Sequence, residues 1–188
     1  MIDDPMPAPL EAQLTSARLT LRPPVMADAP ALAALANDRQ LAEMTARIPH
    51  PYGIEDARSY IRDHGDEIIF ALVADGGTRF IGICGLKPDG GPRRLELGYW
   101  VGAPFRGKGY ATEAAQAVID HAFGTLDQDC VTVRCRVVNE ASRRVIRKCG
   151  FHFVGTGMFR SATAGGVACE CYQLDRRSWQ ALKSWGGQ

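Results

Sequence analysis

The stretch Phe105-Arg106-Gly107-Lys108-Gly109-Tyr110-Ala111-Thr112-Glu113-Ala114 decides the fold. It is a glycine-spaced, basic turn that runs into a helical pattern, Tyr110 to Phe123, with Ala111, Ala114, Ala115, Val118, Ile119 and Ala122 on the inner face. Before it, Leu95 to Val101 reads as a strand. Strand, Gly-rich turn and helix start, in that order, build an anion seat. The first N–H groups of a helix have no partner within it, and the helix dipole adds partial positive charge there. Gly107 and Gly109 carry no Cβ, so a phosphate can approach the main chain closely. The ligand expected here is a phosphorylated cofactor.

The same residues raise a competitor. Read from Gly102, the segment Gly102-Ala103-Pro104-Phe105-Arg106-Gly107-Lys108-Gly109 almost spells the mononucleotide P-loop, G-x-x-x-x-G-K-S/T. Gly109 stands where that loop has a hydroxyl for magnesium, and Pro104 removes one N–H from the cradle. A phosphoryl-transfer enzyme is weakened by this but stays open on these residues.

Working outward, Arg18 to Arg22 alternates as a short strand ended by Pro23-Pro24, and Asp28 opens a helix carrying Ala31, Leu32, Leu35 and Ala36. A second helix spans Ile54 to Asp63. Ile68 to Val73 and Phe80 to Leu86 form a hairpin about Ala74-Asp75-Gly76-Gly77. After the Gly-turn helix, stopped at Gly124, comes the β-branched strand Cys130 to Val138. Asn139 then caps a helix ending at Cys149-Gly150. Strands Phe151 to Val154 and Val167 to Leu174 follow, and Arg176 to Trp185 is a terminal helix. The order β-α-α-β-β-β-α-β-α-β-β is mixed α/β. The Gly-turn helix must act as a crossover that places Cys130–Val138 parallel to Leu95–Val101, with the seat at the mouth between them.

Composition is that of one globular domain: 188 residues, 46% hydrophobic, 23% charged, net charge +1. So slight a charge recruits neither nucleic acid nor membrane, and no apolar run approaches the about 20 residues of a bilayer span. The six cysteines show no C-x-x-C pair, so they read as reduced thiols of a cytoplasmic protein, without metal. Residues 1–14 are expected to be an unstructured tail, and 15–188 the domain. Arg134, Arg136, Arg143, Arg144, Arg147 and Lys148 form a basic cluster, either a solvated face or a second phosphate contact.

Several segments, in order, resemble the GCN5-related N-acetyltransferase (GNAT) superfamily, in particular its branch of Rim-type ribosomal-protein N-terminal acetyltransferases. Arg106-Gly107-Lys108-Gly109-Tyr110-Ala111 fits the family's acyl-CoA signature, Gln/Arg-x-x-Gly-x-Gly/Ala. Arg18-Leu19-Thr20-Leu21-Arg22-Pro23, Ile81-Gly82-Ile83-Cys84-Gly85-Leu86, Glu96-Leu97-Gly98-Tyr99-Trp100-Val101, Asn139-Glu140-Ala141-Ser142 and Lys148-Cys149-Gly150-Phe151 carry the rest. The resemblance implies a GNAT-like α+β domain, its sheet mostly antiparallel with a central splayed parallel pair and flanking helices. It also implies direct acetyl transfer from acetyl-CoA to an amine in a ternary complex. An acyl-CoA-binding protein without turnover is the alternative.

It further implies roles. Main-chain N–H groups of Arg106, Gly107, Lys108, Gly109, Tyr110 and Ala111 would hold the cofactor pyrophosphate, and Tyr99, Trp100 and Val101 would track its pantetheine arm. Asn139, by spacing a helix N-cap, would also bond that arm. Ser142 would lie near the sulfur, and Arg144, with Arg143 and Lys148, near the 3′-phosphate. Glu96 is the candidate base, directly or through water, with Glu170 as second candidate; by residue pattern alone Glu96 is a solvent-facing carboxylate. Many members place a tyrosine acid where this chain has Ile146, so the acid is Ser142, water or none. The acceptor, from a peptide N-terminus to a small amine, is set by Asp28–His64 and Arg160–Val167, which carry no motif. A homodimer is left open.

Overall fold

The structure is a computed structural model that describes residues 13–185. Its elements are β1 (Leu14–Thr15), β2 (Thr20–Arg22), α1 (Ala29–Ala36), α2 (Arg39–Met44), α3 (Ile54–Arg62), β3 (Ile68–Ala74), β4 (Arg79–Pro88) and β5 (Arg94–Val101). Then come α4 (Tyr110–Gly124), β6 (Cys130–Arg136), α5 (Glu140–Lys148), β7 (His152–Ser161), β8 (Gly165–Asp175) and α6 (Arg176–Trp185). The tail expected over residues 1–14 lies outside the described residues except at its end, where Leu14 already pairs with Leu21.

The strands form one sheet in the order β1-β2-β3-β4-β5-β6-β8-β7, antiparallel except for β5 and β6. The expected crossover is there: α4 carries the chain from β5 to a parallel β6. Side chains of β3 alternate between two cores, as period-2 geometry requires. Phe70 and Leu72 join α4 residues Ala115, Val118 and Ala122 on one face. Ala71 and Val73 meet Leu32, Ala36 and Ala57 of α1 and α3 on the other. Helices therefore cover both faces, and no described helix is long and apolar enough to cross a membrane. All six cysteines are free thiols.

A bulge in β4 bears on the site. Leu72 opposes Gly82 but Val73 opposes Phe80, so Ile81 is the extra residue. The bent strand brings Gly82 against β5, where an added Cβ would lie 2.2 Å from the Trp100 carbonyl oxygen and 3.0 Å from Val101 Cα. Backbone cannot swing away as a side-chain tip can. Gly82→Ala is therefore expected to cost about 2–3 kcal/mol, or roughly 5–10 °C in Tm. Gly98→Ala, whose Cβ would meet nothing within 4 Å, is the control; equal melting of the two variants in calorimetry refutes the wedge.

Several local expectations are corrected. The Asp28 carboxylate does not cap α1; it accepts from the Val25 N–H (2.8 Å) and from Arg22 Nη1 (2.7 Å). Gly124 is the last residue of α4 rather than a left-handed stop, and Asp127 takes the left-handed conformation instead (φ 52°). β6 ends at Arg136, short of Val138, while β7 runs on to Ser161 and β8 begins at Gly165. The two-residue β1 and six-residue α2 were not foreseen, because neither is long enough to show a period.

Candidate active site

The Gly-rich turn folds as a strand-to-helix seat. Gly107 (φ 76°) and Gly109 (φ 84°), the latter at the N-cap of α4, take left-handed conformations that disfavour any Cβ. The first main-chain bond of the helix is Glu113 N–H to the Gly109 carbonyl, at 3.1 Å. Among the described residues, the N–H groups of residues 107–112 make no hydrogen bond outside the helix pattern. A Cβ on Gly107 would meet nothing within 4 Å, so the space above this bare main chain is open. An anionic, phosphate-sized group fits there.

Two clamps hold the turn, and sequence reading found neither. Arg18, just before β2, sends Nε and Nη2 to Glu113 Oε2 (2.8 and 2.7 Å) and Nη1 to the Lys108 carbonyl (3.0 Å). Glu113 Oε1 also accepts from the Ser16 hydroxyl and the Arg18 N–H, both at 2.7 Å. Arg106 points away from the seat: its Nε donates to the Val101 carbonyl (3.0 Å) and Nη2 to Asp38 Oδ2 (2.8 Å). Asp38 caps α2 by accepting from the Leu41 N–H at 3.2 Å, so the turn is tied to the helices across the cleft.

Burial alone would raise the Glu113 carboxyl, but hydrogen bonds from Ser16 and Arg18 and the guanidinium charge hold it below its ordinary range. A depressed folded pKa stabilises the fold above the unfolded value of about 4.3, and that stability fades as pH falls through the folded one. Glu113→Gln is thus expected to lower Tm by about 2–4 °C near neutrality. The wild-type and variant melting curves should converge below about pH 4; a constant gap down to pH 3 would refute the clamp.

Beside the turn the sheet opens. β5 and β6 pair only over Arg94–Glu96 and Cys130–Thr132. Beyond, β5 stays bonded to β4 as far as Val101, and β6 to β8 as far as Arg136. The main-chain groups of residues 97–101 that face the gap therefore have no strand partner, and among them the Val101 carbonyl is taken by Arg106. A cavity of about 870 Å³ occupies the gap. Tyr99, Trp100, Val101, Arg106, Gly107, Gly109, Tyr110, Ala111, Asn139, Ser142, Arg144 and Lys148 all line it, as does Glu96.

Within the cavity, Asn139 Oδ1 caps α5 through the Ser142 N–H (3.0 Å), and the Tyr99 hydroxyl sits 2.9 Å from Ser142 Oγ. Burial raises the Tyr99 phenol, against the pull of Ser142, so it stays protonated. Cys135, also in the wall, is pushed up to about 11 by burial and by the Glu170 charge, and is a neutral thiol at pH 7. Ile146 lies 1% exposed in the core beneath α5, so no side chain there reaches the cavity.

Glu96 is not solvent-facing. It is 9% exposed, with Oε1 accepting from Arg134 Nε (3.2 Å) and Oε2 from Arg134 Nη2, while Lys87 Nζ forms an ion pair with Oε2 at 3.2 Å. Glu170 is outside the wall, held by Arg143 (3.0 Å) and the Tyr172 hydroxyl (2.7 Å). Arg143 is outside it for the same reason. The Lys108 side chain leans over Phe105, Nζ 5.9 Å from the ring centroid, and leaves only its main chain at the seat. A P-loop lysine would instead reach into the phosphates.

A family profile described as "Acetyltransferase (GNAT) domain" matches residues 18–152. The chain belongs to the GNAT acetyltransferase family. Its GNAT relatives include YdaF of Bacillus subtilis (strain 168), whose name carries the words "ribosomal N-acetyltransferase". That match is 33% identical over 94 residues, 48% of this chain and 50% of YdaF, so it spans half the length of that relative. The protein "Uncharacterized N-acetyltransferase p20" of Bacillus licheniformis is 28% identical over 149 residues, 76% of this chain and 83% of p20. The GNAT fold is shared with Mycobacterium smegmatis RimJ, solved with CoA-disulfide, at a TM-score of 0.78 and 21% identity over 95% of this chain and 96% of that one. RimL, titled a ribosomal L7/L12 alpha-N-protein acetyltransferase in complex with coenzyme A, gives a TM-score of 0.75 at 20% identity over 89% and 99%.

Proposed function

We propose that this chain transfers the acetyl group of acetyl-CoA directly to a primary amine, in a ternary complex and in the cytoplasm. One observation carries the reading: a strand edge that loses its β6 partner after Glu96 leads straight into a turn of free N–H groups. That continuity suits a long ligand with an amide-bearing arm and an anionic end. RimJ and RimL bind coenzyme A forms on the same fold.

In this reading the N–H groups of residues 107–111 hold the pyrophosphate, assisted by the α4 dipole. Arg106 is a positioning residue that fixes the turn, and Arg144 and Lys148 face the 3′-phosphate. The β5 edge at Tyr99–Val101 bonds the arm, and one of its N–H groups steadies charge on the thioester oxygen. The amine nitrogen bonds the acetyl carbon as the carbon–sulfur bond breaks. Its proton leaves through Glu96 or water, and the sulfur receives one through Ser142, whose oxygen takes a proton from water as it gives one up. The Tyr99 hydroxyl, 2.9 Å from Ser142 Oγ with either oxygen able to donate, holds that hydroxyl in place beside the sulfur.

Ser142→Ala is therefore expected to lower kcat about tenfold or more, a hydrogen bond to a charged group being lost, with the KM for acetyl-CoA little changed. Free-thiol release under saturating acetyl-CoA measures it; an unaltered kcat removes Ser142 from the chemistry. The function itself is tested by thermal shift and thiol release. Stabilisation by acetyl-CoA and amine-dependent thiol release are expected, whereas stabilisation by Mg-ATP alone overturns the reading.

A further inference from the structure

On the side of the cavity away from the turn, the charged wall consists of Arg47, Glu67, Lys87, Glu96, Arg134 and Arg160. Both carboxylates are already matched by guanidinium groups: Arg47 Nη2 meets Glu67 Oε2 at 2.6 Å, and Arg134 grips Glu96 with Nε and Nη2. Lys87 adds a second cation to Glu96, whose charge is also within reach of Arg47. Arg160, exposed near the end of β7, makes no hydrogen bond or ion pair among the described residues. Asp89 lies behind Arg134 but is matched by Arg94 (2.9 Å) and taken by the Thr132 hydroxyl (2.6 Å), so it offsets nothing in the cavity. Four cations thus face two carboxylates, with Lys87 and Arg160 in surplus.

An acceptor entering this wall is an amine, and an amine arrives largely as a cation. A molecule with several ammonium groups would meet a wall of net positive charge. We infer that the acceptor carries a carboxylate in the same molecule as its amine, placed so that Lys87 and Arg160 receive it. This rests on the acetyl-transfer reading above. Two sources share the chemistry: a peptide N-terminus with acidic side chains in its first residues, and a free amino acid.

The test is binding to the protein saturated with coenzyme A, which needs no turnover. Three short peptides with a free N-terminal serine carry Glu, Ala or Lys at the second and third positions; free glutamate and a polyamine complete the set. The Glu peptide should bind about tenfold tighter than the Lys peptide at low salt, with a gap that narrows as salt is added. Arg160→Glu, on an exposed side chain, should cut that ratio about threefold or more. Free glutamate matching the Glu peptide would assign a small-molecule acceptor. Equal binding of the Glu and Lys peptides, or tighter binding of the Lys peptide or polyamine, overturns the inference. If the preference appears but acetyl-CoA yields no thiol with any acceptor, the acetyl-transfer reading fails and the anionic preference stands. Thiol release favouring the polyamine does the reverse.

Discussion

Gly107→Asp abolishes coenzyme A binding, with an expected loss of about 100-fold or more in affinity, while the protein stays folded. Three facts separate these effects. At φ 76°, Gly107 sits where an L-residue is strained, yet Asn and Asp are the side chains that best tolerate that region. A Cβ there would meet no protein atom within 4 Å, so folding loses only the conformational cost, about 1–2 kcal/mol. The open space is the space proposed for the pyrophosphate. Gly107→Asn, nearly identical in shape and conformational tolerance, isolates the charge. It should weaken coenzyme A modestly, by crowding alone, while Asp adds an anion against an anion at a helix N-terminus. Titration calorimetry of both variants, with melting as the fold control, measures the difference. Wild-type affinity in Gly107→Asp would put the pyrophosphate elsewhere.

That seat was legible in sequence because its determinants are local. Two glycines, a preceding strand and a following alanine-rich period all fall within residues 95–123, and backbone geometry does the rest. The same holds for the Asn139 cap and the Ile68–Leu86 hairpin. What was not legible depends on sheet order. Glu96 read as solvent-facing because its partners, Lys87 on β4 and Arg134 on β6, flank it only once β5 is central. The splay, expected from the family resemblance and found, is likewise a matter of where pairing stops, after Glu96 and Thr132, which no residue type by itself announces.

The Arg18–Glu113 and Arg106–Asp38 clamps join segments far apart in the chain, and each residue alone looks like ordinary surface charge. The basic cluster from Arg134 to Lys148 is similarly dispersed by folding. Arg134 turns to Glu96 on one side of the cavity, Arg136 to the Glu43 carbonyl and Arg143 to Glu170, while Arg144 and Lys148 line the cavity without joining that pair. A run of like charge in sequence was neither one face nor one site.

The sheet-derived setting of Glu96 shapes the second large expectation. Glu96→Gln should lower kcat about 100-fold or more, within the range for loss of a positioned base. An ionised carboxylate offers about four lone-pair positions; Arg134 occupies two here, leaving room for a water or for the amine beside the Lys87 ion pair. Held this way, the carboxylate proposed as base has a fixed orientation. Glutamine keeps the shape but cannot accept a proton, and it leaves Arg134 and Lys87 without their counter-charge, which costs stability as well. Rate and melting must be read together, with assays run well below the variant's Tm.

The pH profile separates catalysis from architecture. An α-amine has an ordinary pKa of about 7.7–8, so above pH 8 it needs no base. The deficit of Glu96→Gln should thus shrink as pH rises through that value if Glu96 removes the proton. A deficit constant across pH 6–9, or a kcat within threefold of wild type, would make Glu96 an anchor for Arg134 and Lys87 and leave deprotonation to solvent. Lys87→Met removes the ion-paired cation beside Glu96 but keeps the carboxylate, so at saturating acceptor its kcat should stay well above that of Glu96→Gln while the acceptor KM rises; a fall in kcat equal to that of Glu96→Gln assigns the loss to the ion cluster rather than to the base.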